Sequence, residues 1–60
     1  MKFKVTWNNP KAGSDTREVD ASGWRAREDF IEFYTSAASG GSTTVWAVKK
    51  DLVVEIEAAQ

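Results

Sequence analysis

Two residue types that carry much of enzyme and metal chemistry are missing: the 60-residue chain has no cysteine and no histidine. Without cysteine there is neither a disulfide framework nor a thiolate nucleophile, which excludes a small secreted scaffold stapled by bridges. Without histidine the commonest general base and metal ligand is gone. With both absent, a structural zinc site has no ligand set. Neither a Walker A loop nor a GxGxxG fingerprint occurs. No apolar run approaches the roughly 20 residues of a membrane span. The opening residues, Met1 to Pro10, lack the apolar stretch of roughly 7–15 residues that marks a secretory signal. A cytoplasmic protein without cofactor, metal or catalytic residues is therefore expected.

Charge excludes less. The net charge is −1 and the isoelectric point about 5.2, whereas nucleic-acid-binding domains show an electropositive footprint and a pI above about 9. Nucleic acid is thus a disfavoured partner. Lys2, Lys4 and Lys11 open the chain and Asp51, Glu55 and Glu57 close it, a distribution expected of two facing surface strands whose charges pair. The carboxylates form two sequence groups, Asp15, Glu18 and Asp20, and Glu28, Asp29 and Glu32. Neither has the spacing of an EF-hand loop.

What the chain does hold is aromatic mass: three Trp, three Phe and one Tyr. A chain of this size makes one domain, residues 1–60, and buries only about 60% of the surface its unfolded form exposes. Aromatic side chains, each burying roughly 150–250 Å², are the usual remedy for so thin a core.

Periodicity supplies the elements. Phe3, Val5 and Trp7 alternate with Lys2, Lys4 and Thr6, as in a half-buried strand. Asn8 to Asp15 is turn-forming, and Thr16 to Ala21 alternates again, with Val19 and Ala21 on one face. Pairing Val5 with Val19 sets Lys4 against Asp20 and Thr6 against Glu18, and a slip of one residue would break the match. Thr43 to Val48 is β-branched and aromatic. Its Val45 and Val48 point to opposite faces, which suggests a central strand. Lys49-Lys50-Asp51 reads as a short turn or 3₁₀ helix. Leu52, Val54 and Ile56 then form the apolar face of a last strand.

The middle of the chain divides. At ~100° per residue, positions 24–39 sort into a helical wheel with Trp24, Ala26, Phe30, Ile31, Phe33, Tyr34, Ala37 and Ala38 on one half. That gives an α+β fold, ββαββ, with one helix on a four-stranded sheet. Composition argues the other way. Phe30 to Thr35 is nearly all aromatic or β-branched, which a strand favours. Ser36 to Ser42 then becomes a hairpin loop.

The progression Arg17-Glu18-Val19-Asp20-Ala21, Gly23-Trp24, Phe30-Ile31-Glu32-Phe33-Tyr34, Val45-Trp46-Ala47-Val48 and Val53-Val54-Glu55-Ile56-Glu57 resembles small uncharacterised proteins of actinobacteria and their bacteriophages. The resemblance is one of strand rhythm along most of the chain. It implies an all-β, SH3-like small barrel of five short antiparallel strands, and it implies no functional residues. The long Asn8–Asp15 segment departs from the tight turn such a barrel expects.

Function is then sought among the aromatics. Trp and Tyr beside Arg are frequent anchors of protein interfaces, so Trp24, Arg25 and Arg27, with Tyr34 and Trp46, are the candidate partner-binding residues. Trp46 faces outward if Val45 and Ala47 face the core, and inward otherwise. The expectation is a non-catalytic protein-interaction module, a bacteriophage accessory protein acting on a bacterial host protein. One alternative is a nucleic-acid-binding small barrel using Lys2, Lys4, Arg25 and Arg27 with stacking by Trp24 or Tyr34. The other is self-association, a homodimer formed through an unpaired edge strand such as Leu52–Ala58.

Overall fold

The computed structural model describes residues 1–59, and within them the chain is all-β. Six strands follow in order: β1 (Lys2–Asn9), β2 (Gly13–Asp20), β3 (Gly23–Ala26), β4 (Phe30–Ser36), β5 (Ser42–Lys49) and, after a 3₁₀ turn at Lys50–Leu52, β6 (Val53–Ala59). They form two antiparallel three-stranded sheets, ordered β2-β1-β6 and β3-β4-β5. The number of strands differs from the expected five because Ala21 and Ser22 interrupt the ladder between β2 and β3. No closed barrel forms: the two sheets stay separate.

The helix considered for residues 24–39 is not formed. β3 and β4 occupy that segment instead, and the chain turns back between Ala37 and Gly41. The aromatic and β-branched run of β4 wins over the helical wheel because it is the central strand of its sheet, paired by β3 on one edge and β5 on the other. The turn is closed by the Ala37 N–H on Gly41 O at 2.7 Å and the Gly40 N–H on Ala37 O at 3.0 Å.

The first hairpin corrects the expected register. Phe3, not Val5, faces Val19; Lys4 faces Glu18, and Thr6 faces Thr16. The offset is two residues, so every side chain keeps its face and the charges still complement. The turn decides it. Asn9 accepts the Lys11 N–H on its side-chain oxygen at 3.0 Å and donates its amide to Asp15 at 2.6 Å. The Ala12 N–H closes on Asn9 O at 3.0 Å, and Gly13 takes φ +87°. The strands therefore run to Asn9 and restart at Gly13, leaving a tight turn where a loop over residues 8–15 was expected.

The core is small: Phe3, Val5, Val19 and Ala21 from one sheet meet Ile31, Phe33 and Val48 from the other. Trp7, Trp46, Val53 and Ile56 close around them, partly buried. The Cα trace is only 14 Å deep along its shortest axis, room for two packed sheets about 10 Å apart and no third layer.

Two bulges reset the alternation. The β4–β5 register shifts at Phe33/Tyr34, so Phe33 pairs with Trp46 and Tyr34 with Thr44. Val45 is the extra residue and is 49% exposed. The shift turns Trp46 and Val48 both inward, and the strand order makes β5 an edge strand, not the central strand its two valines suggested. The β1–β6 register shifts at Thr6/Trp7. This turns Val53 inward and leaves Val54 60% exposed, reversing the expected roles of the two.

Candidate functional site

The five candidate residues do not share one surface. β3 and β4 pair Gly23 with Tyr34, Trp24 with Phe33, Arg25 with Glu32 and Ala26 with Ile31. Side chains directly opposite lie on one face. Phe33 and Ile31 are core, so Tyr34, Glu32 and Arg25 point out. The outer face of the β3-β4-β5 sheet thus gathers Arg25, Arg27 and Tyr34, with Glu32 between them.

The geometry is specific. The Arg25 guanidinium lies over the Tyr34 ring, 4.6 Å from its centroid, and its Nη2 donates to Ser42 Oγ at 3.0 Å. Glu32 Oε1 accepts from Arg27 Nε at 3.3 Å and lies 3.9 Å from Arg25 Nε. That Arg25 Nε is screened from solvent without a hydrogen-bond partner. The phenol end of Tyr34 also lies against Gly23, where a Cβ would stand 2.9 Å from the phenol oxygen. The glycine lets the ring lie in this position; a larger residue there would displace it.

Trp24 and Trp46 lie elsewhere. Trp24 is on the inward-facing side of the edge strand β3 but remains 42% exposed, outside the core cluster. Trp46 turns inward, with ring centroids 5.3 Å from Trp7 and 5.7 Å from Phe33. Arg17, opposite Val5 in the middle of β2, reaches across to the other sheet, its guanidinium 5.2 Å from the centroid of the Trp46 ring. Trp46 is therefore a structural plug held under a cation, and Arg17 is a residue that sequence reasoning passed over. Its signal was available: an arginine at an inward-facing position of β2 has to lie across something.

Phe30 is a second residue the sequence did not single out. It stands on the same outer face as Tyr34, opposite Lys49, and is 45% exposed. Its position could be read only once the phase of β4 was known.

The near-neutral total conceals an uneven placement of charge. The outer face of β3-β4-β5 carries Arg25, Arg27 and Lys49 against Glu32, with Glu28 and Asp29 in the turn beside Arg27. The outer face of β2-β1-β6 carries Lys2 and Lys4 against Glu18, Asp20, Glu55 and Glu57, a sum of −2. There Lys4 lies between Glu18 and Glu57, one on each neighbouring strand, which accounts for the basic start and acidic end of the chain.

The carboxylate groups are dispersed by the pleat: Asp15 lies on the opposite face from Glu18 and Asp20. Among the described residues no cluster of three or more potential ligands could hold a metal ion. An open depression of about 560 Å³ is lined by Met1, Lys2, Glu18, Asp20 and Ala59. It lies beside the acidic face and away from the Arg–Tyr cluster. No helix among the described residues is long and apolar enough to cross a membrane. Comparison with family models, with curated proteins and with solved structures returned no match.

Proposed function

We propose that the chain is a non-catalytic protein-interaction module. Its working surface is the outer face of β3-β4-β5, presented to an acidic segment of a partner protein. The observation that carries this reading is the convergence of Arg25, Arg27 and Tyr34 with exposed Phe30 and Lys49 on one face, whose strands hold Glu32 as their one acid. Arginine and tyrosine held rigid by one another lose little freedom on binding, which favours their use as anchors. Glu32 orients both arginines and leaves the remaining guanidinium donors free for a carboxylate.

Nucleic acid is the weaker reading, for a physical reason beyond total charge. Base stacking needs a free aromatic face, and the Tyr34 ring already carries the Arg25 guanidinium over it.

The fold class proposed with this function is the SH3-like small barrel in open form. β2 and β3, separated only by Ala21 and Ser22, act as one strand bent across both sheets, which reduces six strands to five. Ser22 holds the bend, its N–H on Tyr34 O at 2.7 Å and its Oγ accepting the Ser36 N–H at 3.0 Å. The setting proposed is cytoplasmic, with a bacterial host protein as partner and a bacteriophage accessory protein as the role. This rests on the strand-rhythm resemblance.

Affinity capture from bacterial lysate, followed by titration of the recovered protein, tests the reading. Arg25→Ala with Arg27→Ala should weaken a saturable interaction at least tenfold while leaving the circular dichroism spectrum unchanged. A mobility-shift assay with a single-stranded oligonucleotide at low salt should show no complex. A saturable partner indifferent to both substitutions, or tight oligonucleotide binding, would refute it.

A further inference from the structure

The edge of β6 is open, and its side chains select what can join it. β6 pairs with β1 on one side only, so among the described residues its other edge offers unpaired backbone donors and acceptors. The three remaining edges carry devices that discourage an added strand. β5 has Lys49 and the Val45 bulge. β3 is four residues long and holds Gly23 and Arg25. β2 begins at Gly13 and carries Arg17. β6, Val-Val-Glu-Ile-Glu-Ala-Ala, contains no lysine, arginine, proline or glycine, and Val54 beside this edge is 60% exposed.

A second copy is a poor occupant. With Ile56 on the two-fold axis of an antiparallel pair, Glu55 of each strand faces Glu57 of the other. Moving the axis to residue 55 or 57 sets that glutamate against itself. Like charges directly opposite destabilise a pair, so the edge is guarded against its own kind.

The existing neighbour shows what it accepts. β1 sets Lys4 against Glu57, Thr6 against Glu55 and Val5 against Ile56. We propose that β6 binds an extended cationic segment of another protein by strand addition. Lysine or arginine at alternate positions would lie opposite Glu55 and Glu57, and an apolar residue between them opposite half-buried Ile56. Glu57 would then lie between Lys4 and a cation of the added strand, and Glu55, opposite Thr6 on β1, would gain its cation from the added strand alone. Main-chain hydrogen bonds supply affinity and the alternating side chains specificity. This surface is separate from the Arg25–Tyr34 face and does not depend on it.

The test uses a seven-residue peptide alternating valine and lysine, its valine–glutamate counterpart, and a valine–lysine peptide N-methylated along one edge. Each is titrated against the ¹⁵N-labelled full chain. The valine–lysine peptide should bind saturably and shift the amides of residues 53–59, with slowed hydrogen exchange there. The N-methylated and glutamate peptides should bind at least tenfold more weakly. Glu55→Gln with Glu57→Gln should weaken the lysine peptide at least fivefold. Glu55→Lys with Glu57→Lys should exchange the preference toward the glutamate peptide. No binding, shifts mapping to β2, β3 or β5, equal binding of the N-methylated peptide, or a dimer formed through β6 at neutral pH would each overturn the proposal.

Discussion

Phe30 and Phe33 make the sharpest test of the fold, because they are the same residue type three positions apart. Phe33 is fully buried, 0% exposed, with ring centroids 5.8 Å from Phe3 and 5.7 Å from Trp46. Truncating such a side chain costs about 3–5 kcal/mol, the lost transfer energy plus the cavity. A 60-residue domain has a stability of about 3–9 kcal/mol on the usual per-residue scale. Phe33→Ala therefore removes about a third of the stability or more. At ~4–8 °C per kcal/mol for a small domain, the melting temperature should fall by at least about 12 °C. Phe30, 45% exposed on the outer face, has roughly half the burial and no cavity to leave. Phe30→Ala should cost only about 1 kcal/mol. On a helix, residues three apart share a face, and the two variants would lose stability alike. Urea unfolding followed by tryptophan fluorescence reads both. If Phe33→Ala proves unfolded at the outset, the pair Phe33→Leu and Phe30→Leu keeps the comparison measurable, with about 1 kcal/mol or more lost at the buried position and less at the exposed one. Equal losses for Phe30→Ala and Phe33→Ala, or a larger loss at Phe30, would refute the two-sheet reasoning.

Three further outcomes follow from single contacts. Gly13→Ala has open space for its methyl but keeps φ at +87°, so it should cost about 1 kcal/mol in urea unfolding, and Gly13→Asn less. Asn9→Ala removes both side-chain hydrogen bonds of the first turn and should cost about 1–3 kcal/mol by the same measurement. Gly23→Ala drives a methyl into the Tyr34 phenol, so nuclear Overhauser contacts between Arg25 and the ring should vanish. The stability change should stay within about 1 kcal/mol, because the lost stack is worth about 0.5–1 kcal/mol and the less flexible unfolded chain returns a similar amount.

Strand identity was legible in the residues for local reasons. Alternation in β1, β2 and β6 and the aromatic, β-branched run of β4 bias each segment by itself, and the 3₁₀ turn before β6 follows from Lys49-Lys50-Asp51. The candidate site was legible in part. The nearness of Arg25 and Arg27 in sequence pointed to the right segment, and Tyr34 joined them once β3 and β4 paired. Trp24 and Trp46 were drawn in by residue type alone. Their orientation depends on neighbours distant in the chain.

The sequence by itself determined the chemistry that is absent, the strand character of both ends of the chain, and the face on which most side chains of β1 and β2 lie, since a period of two is a local property; it left residues 24–39 open between helix and strand. Tertiary structure decided what that period leaves degenerate. A two-residue slip preserves every face, so the turn hydrogen bonds of Asn9 had to choose between Val5 and Phe3 as the partner of Val19. Bulges at Val45 and Val54 reverse alternation at one point, and no pattern within β5 or β6 announces them, because they arise where two strands of unequal length must share a ladder. Edge or centre, inward or outward for Trp46, and the gathering of arginines on one outer face and glutamates on the other are consequences of pairing. Each depends on contacts between residues far apart in the chain, which a local pattern does not contain.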